Sequence, residues 1–379
     1  IRQGQDITHI ARDGASSRGR VVALMSFFGL ERIDVPEATA GDIVAIAGIA
    51  DATVGETIAD PERPERLEVL KIEEPTVRML FLVNDSPFAG KEGVYTTSRQ
   101  IRERLFKELE TDMALRVEDA STEGVAAAWS VSGRGELHLA ILIERLRREG
   151  FELQVSRPMV ISKTVDGKTH VPFERVYIEV PDEYAGAVIQ KLGSRRGQLR
   201  DMHSFSGIAR LEFIIPTRGL FGYRTEFLTD TRGLGIMNTL FEGYQPDPGE
   251  WSEKTQGSLV AHETGTSNLY GLLNVQDRGA LFIGPGVSVY MGQVVGQHSR
   301  GGDLRVNVCK TKQLSNMRSK GDGSAEHFNA PREMDLEDSI EYIGDDELVE
   351  ATPKSIRIRK IALDEHDARR KQLGLAGKK

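Results

Sequence analysis

Thr76-Val77-Arg78-Met79-Leu80-Phe81-Leu82-Val83 reads as a strand, and the order of the elements after it decides the fold. Residues 98–110, SRQIRERLFKELE, carry Ile101, Leu105, Phe106 and Leu109 at helical spacing. Leu115 to Val117 and Val125 to Val131 then read as paired strands around the turn Ser121-Thr122-Glu123-Gly124. Gly135 to Arg148 reads as a second helix with Leu137, Ile141, Leu142 and Leu146 on its apolar side, and Phe151 to Val155 as a closing strand. The order strand, helix, strand, strand, helix, strand is the split βαβ arrangement. It recurs downstream. Val171 to Val180 is a strand, Glu183 to Leu192 a helix, and Gln198 to His203 and Ile208 to Ile215 are paired strands around Ser206-Gly207. A helix is expected from near Leu220 to about Leu228, followed by a less regular strand or loop over Thr229 to Tyr244.

These two units sit inside a longer chain. Residues 1–70 hold turn signals at Asp13-Gly14 and Arg18-Gly19-Arg20 and strand candidates at Val21 to Met25 and Ile43 to Ala47, and read as part of a β-barrel. Beyond residue 250, Gly257 to His262, Ala280 to Tyr290, Leu304 to Val308 and Ser355 to Ile361 read as strands, residues 309–332 show no period, and 333–350 is acidic with apolar anchors at Leu336 and Ile340. The expected fold class is multidomain α+β. Its parts are a partial β-barrel at 1–70, two ferredoxin-like split βαβ domains at 73–157 and 170–247, and a mainly β C-terminal domain at 250–379. The length of 379 residues fits several domains, and 39 glycines, above the usual share, fit many turns.

Composition narrows the function. Charged residues make up 28% and no apolar run approaches the roughly 20 residues of a membrane span, so no membrane partner is expected. The one cysteine, Cys309, leaves neither a disulfide framework nor a cysteine zinc site and points to a reducing, cytoplasmic setting. No phosphate loop of the GxxxxGK[ST] type and no HExxH is present. Glu136 and His138 lie two apart on a helix and do not share a face, which argues against a catalytic pair. No catalytic residue and no metal site are expected in this chain.

The formal net charge is −8, yet residues 304–320 contain Arg305, Lys310, Lys312, Arg318 and Lys320 and no acid. Such a segment suits phosphate contact, the plainer reading being a solvated loop. Lys191, Arg195, Arg196 and Arg200 form a second cluster, which suits either a helix C-terminus or a phosphate-facing edge. Arg357 and Arg359 alternate with Ile356 and Ile358, making a basic stripe that faces either RNA or the acidic stretch at 333–350. Gly133 and Arg134 precede a helix, where they form an anion cradle or a tight turn.

Several runs carry a resemblance. Ser132-Gly133-Arg134-Gly135-Glu136-Leu137-His138-Leu139 resembles the second-helix motif of the first α+β domain in translational GTPases of the elongation factor G class. Residues 83–90 (VNDSPFAG), Gly219-Leu220-Phe221-Gly222-Tyr223-Arg224, Thr231-Arg232-Gly233 with Gly235, and residues 307–318 (NVCKTKQLSNMR) are closer to the BipA (TypA) branch. The resemblance covers essentially the whole chain. It implies a ribosome-associated factor of large-subunit assembly and of stress and cold adaptation. The GTPase domain, with its GTP and Mg, is expected to be absent here, and the chain to begin part-way into the barrel. By resemblance the partners are the ribosome, mainly 23S rRNA, and the acceptor end of A-site tRNA, with the chain monomeric. The 309–320 loop and Arg195, Arg196 and Arg200 would meet RNA, whereas Gly133 and Arg134 would serve domain packing or signalling. The rival reading is a protein-interaction module that uses the acidic stretch and the sheet edges.

Overall fold

The computed structural model describes residues 1–49, 52–68, 74–120, 127–249, 256–312 and 327–364. Contacts divide the chain into two compact units: Ile1–Glu74 with Leu105–Leu115, and Pro75–Arg104 with the described residues from Arg116 onward.

The first unit holds β1 (Asp6–Ile10), β2 (Ser16–Arg20), β3 (Ala23–Phe28), β4 (Glu31–Asp34), β5 (Val44–Ala47) and β6 (Thr57–Ala59). They make two three-stranded antiparallel sheets, ordered β2-β1-β6 and β4-β3-β5. Ile7, Val21, Leu24 and Ala38 form a small core. Among the described residues no closed barrel is formed.

Along the chain, β7 (Val77–Val83), α1 (Ser98–Glu108), β8 (Arg116–Ala120), β9 (Ala128–Gly133), α2 (Glu136–Arg148) and β10 (Leu153–Val155) come next in order, all in the second unit except the end of α1 from Leu105. The strands lie in the antiparallel order β10-β7-β9-β8. Alternation along β7 sends Val77, Met79 and Phe81 to one buried face, opposite Gly133, Val131 and Trp129 of β9. Helix α2 departs from expectation. Leu139, Ala140, Leu142, Ile143 and Leu146 are its buried residues, while Leu137 and Ile141 are exposed. The run LHLAILI offers apolar residues to nearly every side, so spacing alone does not choose between neighbouring faces.

A linker with β11 (Met159–Val160) and β12 (Lys163–Val165) leads to the second module. This comprises β13 (Lys168–Pro181), α3 (Asp182–Ser194), β14 (Gln198–Phe205), β15 (Ile208–Pro216), a 3-10 turn (Thr217–Leu220), α4 (Tyr223–Asp230) and β16 (Ile236–Pro246). Its strands run β16-β13-β15-β14, all antiparallel. The expected irregular stretch before Tyr244 is instead an eleven-residue strand, β16, paired along β13 with one register shift at Phe173/Glu174. Gly243, at φ +125°, takes up that shift in a conformation closed to most side chains.

The remaining elements are β17 (Ser258–Ala261), β18 (Gly265–Thr266), α5 (Leu269–Gln276), β19 (Gly279–Leu281), β20 (Ser288–Val289), β21 (Gln293–His298), β22 (Leu304–Val306), α6 (Leu336–Tyr342), β23 (Glu347–Ala351) and β24 (Ile356–Lys360). The single strand expected over Ala280 to Tyr290 is two short strands in different sheets. The acidic stretch becomes α6 and β23. Asp335 caps α6 by accepting from the Asp338 amide at 2.8 Å, and Glu337 and Asp338 occupy its first turn, where the helix dipole favours negative charge.

These elements do not stand apart from the first α+β module. Strand β23 pairs antiparallel with β10, Leu153 facing Ala351 and Val155 facing Val349, so one sheet runs β22-β17-β21-β24-β23-β10-β7-β9-β8. The seam is sealed by buried polar groups. Glu350, fully buried, accepts from Asn84 Nδ2 at 2.9 Å, Ser86 Oγ at 3.0 Å, Arg357 Nη1 at 3.1 Å and Tyr290 Oη at 2.8 Å. Asn84 also donates to Glu152, which accepts from the Gly90 and Gly93 amides. Every oxygen of the buried carboxylate is occupied, which is the condition for tolerating such a charge.

Helix α5 contains Gly271, a residue that costs about 1 kcal/mol in a helix interior. Its reason is proximity: a Cβ there would lie 2.5 Å from the Val308 carbonyl oxygen.

Glu350→Ala is expected to destabilise the second unit by about 3–5 kcal/mol, because it strands donors from Asn84, Ser86 and Tyr290 and unbalances Arg357; urea unfolding at constant pH measures this. Gly271→Ala is expected to cost about 1–3 kcal/mol by overpacking, read as a lowered Tm; an unchanged Tm contradicts the close approach.

Candidate nucleic-acid interface

Helix α5 holds both ends of the expected RNA-facing loop. At its N-terminal side the Asn268 amide donates to the Val308 carbonyl at 2.8 Å, just before Lys310. At its C-terminal end Gln276 Nε2 donates to the His327 carbonyl at 3.1 Å, and Gln276 Oε1 accepts from the Asn329 amide at 3.2 Å. An eight-residue helix is about 12 Å long, so the feet are held apart by roughly that span. Phe328 packs on the core that contains Leu272 and Val308, which anchors the return. Lys310 and Lys312 are exposed on the outgoing foot. Arg318 and Lys320 lie outside the described residues. Arg305 is half-buried on β22, where both terminal nitrogens donate to the Leu363 carbonyl at 3.2 Å.

The second basic cluster divides. Lys191 pairs with Asp230 at 2.9 Å and Glu226 at 3.4 Å, and the Asp230 hydrogen bond, against the opposing effect of burial, holds its pKa above the ordinary lysine value. Arg195 donates to the carbonyls of Gly219 and Phe221, pairs with Glu226 at 3.2 Å and lies over the Tyr223 ring. Both therefore tie α3 to α4 and the turn before it. Arg196 and Arg200 are exposed, Arg196 in the left-handed region at φ +67° just past α3 and Arg200 on edge strand β14.

Arg357 and Arg359 require correction as RNA-facing residues. Arg357 pairs with Glu92 and Glu350 and lies over the Phe88 ring. The side chain of Arg359 is 4% exposed and pairs with Asp85 at 2.6 Å. The stripe faces inward because the loop after β7, which supplies Asp85 and Glu92, folds over it. Neighbouring Lys360 meets Glu347, Asp303 and Asp346; burial alone would lower its pKa, but these three acids push it well above the usual value. The acidic stretch is thus partly consumed internally, with Glu347 and Glu350 buried.

Gly133 and Arg134 lie in a closely packed turn before α2. A Cβ on Gly133 would come within 2.9 Å of His138 Nδ1, which accepts from the Arg134 amide at 3.3 Å, and Thr76 Oγ1 donates to the Arg134 carbonyl at 2.9 Å. The Arg134 side chain is exposed. Among the described residues no cluster of three or more metal-binding side chains occurs, and no helix is long and apolar enough to cross a membrane.

One site escaped the sequence reading. A cavity of about 670 Å³ opens where α2, α6 and the second module meet, lined by Glu136, Arg157, Arg195, Arg218, Gly222, Thr225, Arg332 and Glu341 among others. Burial and the facing Glu341 raise the Glu136 pKa to about 8, although a hydrogen bond from the Gly222 amide favours the ionised form. Glu136 Oε2 is buried without a hydrogen-bond partner. No local motif signals this, because the groups acting on Glu136 are remote in the chain.

Known protein families match the chain in three stretches. Residues 256–365 match the TypA/BipA C-terminal domain, residues 171–255 the elongation factor G C-terminus, and residues 1–59 elongation factor Tu domain 2. A "Large ribosomal subunit assembly factor BipA" from Synechocystis sp. (strain ATCC 27184 / PCC 6803 / Kazusa) is 51% identical over 363 residues, 96% of this chain and 60% of the relative. Proteins of that name from Bacillus subtilis (strain 168) and Escherichia coli (strain K12) are 47% and 46% identical, over 97% and 98% of this chain and 60% and 61% of theirs. The chain thus spans about 60% of the length of these curated relatives. On the identity carried along nearly all of its residues, and on the match of residues 256–365 to the TypA/BipA C-terminal domain, the chain belongs to the TypA/BipA family.

Proposed function

We propose that this chain is the ribosome- and RNA-binding portion of a translational GTPase that acts in large-subunit assembly and in stress or cold adaptation. The carrying observation is the loop whose two feet are fixed by α5 and whose outgoing foot presents Lys310 and Lys312 to solvent. Lysines at the base of the loop neutralise phosphates. Arg318 and Lys320 extend the same basic segment, and Arg196 and Arg200 offer a second phosphate-facing edge. The partners we infer are the ribosome, mainly 23S rRNA, and the acceptor end of A-site tRNA, met in the cytoplasm by a monomer. The chain itself carries no catalysis in this reading. GTP and Mg belong to a GTPase domain that it positions near the A site. The names of its relatives, as assembly factors of the large ribosomal subunit, support the partner. The rival use of the acidic stretch as a protein-docking surface is less favoured, because Glu347 and Glu350 are buried and paired within the chain.

The test is binding to purified large subunits across a salt series. Lys310→Ala with Lys312→Ala is expected to weaken binding and to reduce the slope of log affinity against log salt by about one per lysine. An unchanged slope removes the loop base from the interface. A complex that survives RNase would favour protein contacts.

A further inference from the structure

The cavity beside Glu136 is a meeting point of three parts of the second unit. Glu136 opens α2 of the first α+β module. Gly222, left-handed at φ +66°, precedes α4 of the second module and donates its amide to the Glu136 carboxyl. Glu341 lies on α6 and accepts from Thr225 Oγ1 at 3.3 Å, while a Cβ on Gly222 would lie 3.6 Å from its side chain. Two carboxyl groups therefore converge on one backbone position of the second module.

Among the charged groups around Glu136, Arg195 favours its ionised form, but burial with Glu341 and Glu174 outweighs it. From α3 come Lys191 and Arg195, from the 3-10 turn Arg218, from α4 Glu226, and from β13 Glu174. Arg157 lies before β11, Arg332 before α6, and Asp338 and Glu341 on α6, with Tyr342 beside them. Each of the cations holds an acid other than Glu136: Lys191 holds Asp230, Arg195 Glu226, Arg157 Asp345, Arg218 Asp247, and Arg332 Asp338. Glu136 Oε2 is left buried with no partner, a costly position for a carboxylate and a tolerable one for a carboxylic acid.

We propose that Glu136 is a proton-operated latch between the second α+β module and the rest of this unit: with its carboxyl neutral, Gly222 and Glu341 close over it, and its ionisation drives the module away. Closure takes up a proton. The closed-state pKa of about 8 lies above the ordinary 4.5, so the closed state binds more protons between those values. Its advantage is complete below about pH 4.5 and is lost as pH rises through about 8. Between pH 6 and pH 8 this linkage lowers the closing constant about fifty-fold.

Amide hydrogen exchange on the full chain tests the latch. Protection of the peptide containing Gly222, corrected for the intrinsic rate, is expected to fall about fifty-fold from pH 6 to pH 8, while protection within β13 stays constant. Glu136→Gln, neutral at every pH and of the same shape, is expected to abolish that fall. Constant protection in the unsubstituted chain overturns the proposal whether or not the variant folds. An equal fall in Glu136→Gln overturns it too, by assigning the proton to another group.

Discussion

The antiparallel pairing of β10 with β23 is the constraint on which the second unit depends. It turns two strand edges into the interior of one sheet and brings the C-terminal elements into the first α+β module. Backbone hydrogen bonds alone would leave the register weakly specified. Glu350 fixes it, because its carboxylate meets Asn84, Ser86, Arg357 and Tyr290 together only when Gln154 faces it across the seam. A one-residue slip would carry the carboxylate to the other face of the sheet and leave those groups unsatisfied.

This arrangement also explains where the basic residues went. A chain of net charge −8 with two arginines alternating along a strand invites a reading as a nucleic-acid face. In the folded chain those arginines close charge pairs with the loop after β7. Of the basic residues expected to meet RNA, the exposed ones among the described residues are Lys310 and Lys312 at the loop foot, and Arg196 and Arg200 at and before β14.

The repeated α+β order was legible because alternation in β7 and the helical spacing of Ile101 and Leu105 are local signals. Other elements were hidden for physical reasons. Helix α5 carries a mid-helix glycine whose justification is a carbonyl on a distant strand end, and α6 looks like a mere acidic run because its acids cap and charge its first turn. Strand β16 has a glycine where its register shifts. The site was less legible than the fold. Lys310 and Lys312 are picked out by charge pattern, but Glu92 and Asp85, which pair with Arg357 and Arg359, lie more than 260 residues away in the chain. Glu136 and Glu341 likewise meet only through tertiary structure.

The seam has a consequence during synthesis. Leu153 and Ala351 are neighbours in the sheet but lie about 200 residues apart in sequence. At ordinary rates of elongation, β10 leaves the ribosome roughly 10–40 s before β23 exists. For that interval the first module presents an open strand edge, with its buried acid Glu152 close by and its final pairing partner not yet made. The nascent chain is therefore most vulnerable to wrong strand pairing between the synthesis of β10 and that of β23, and β23 ends that exposure.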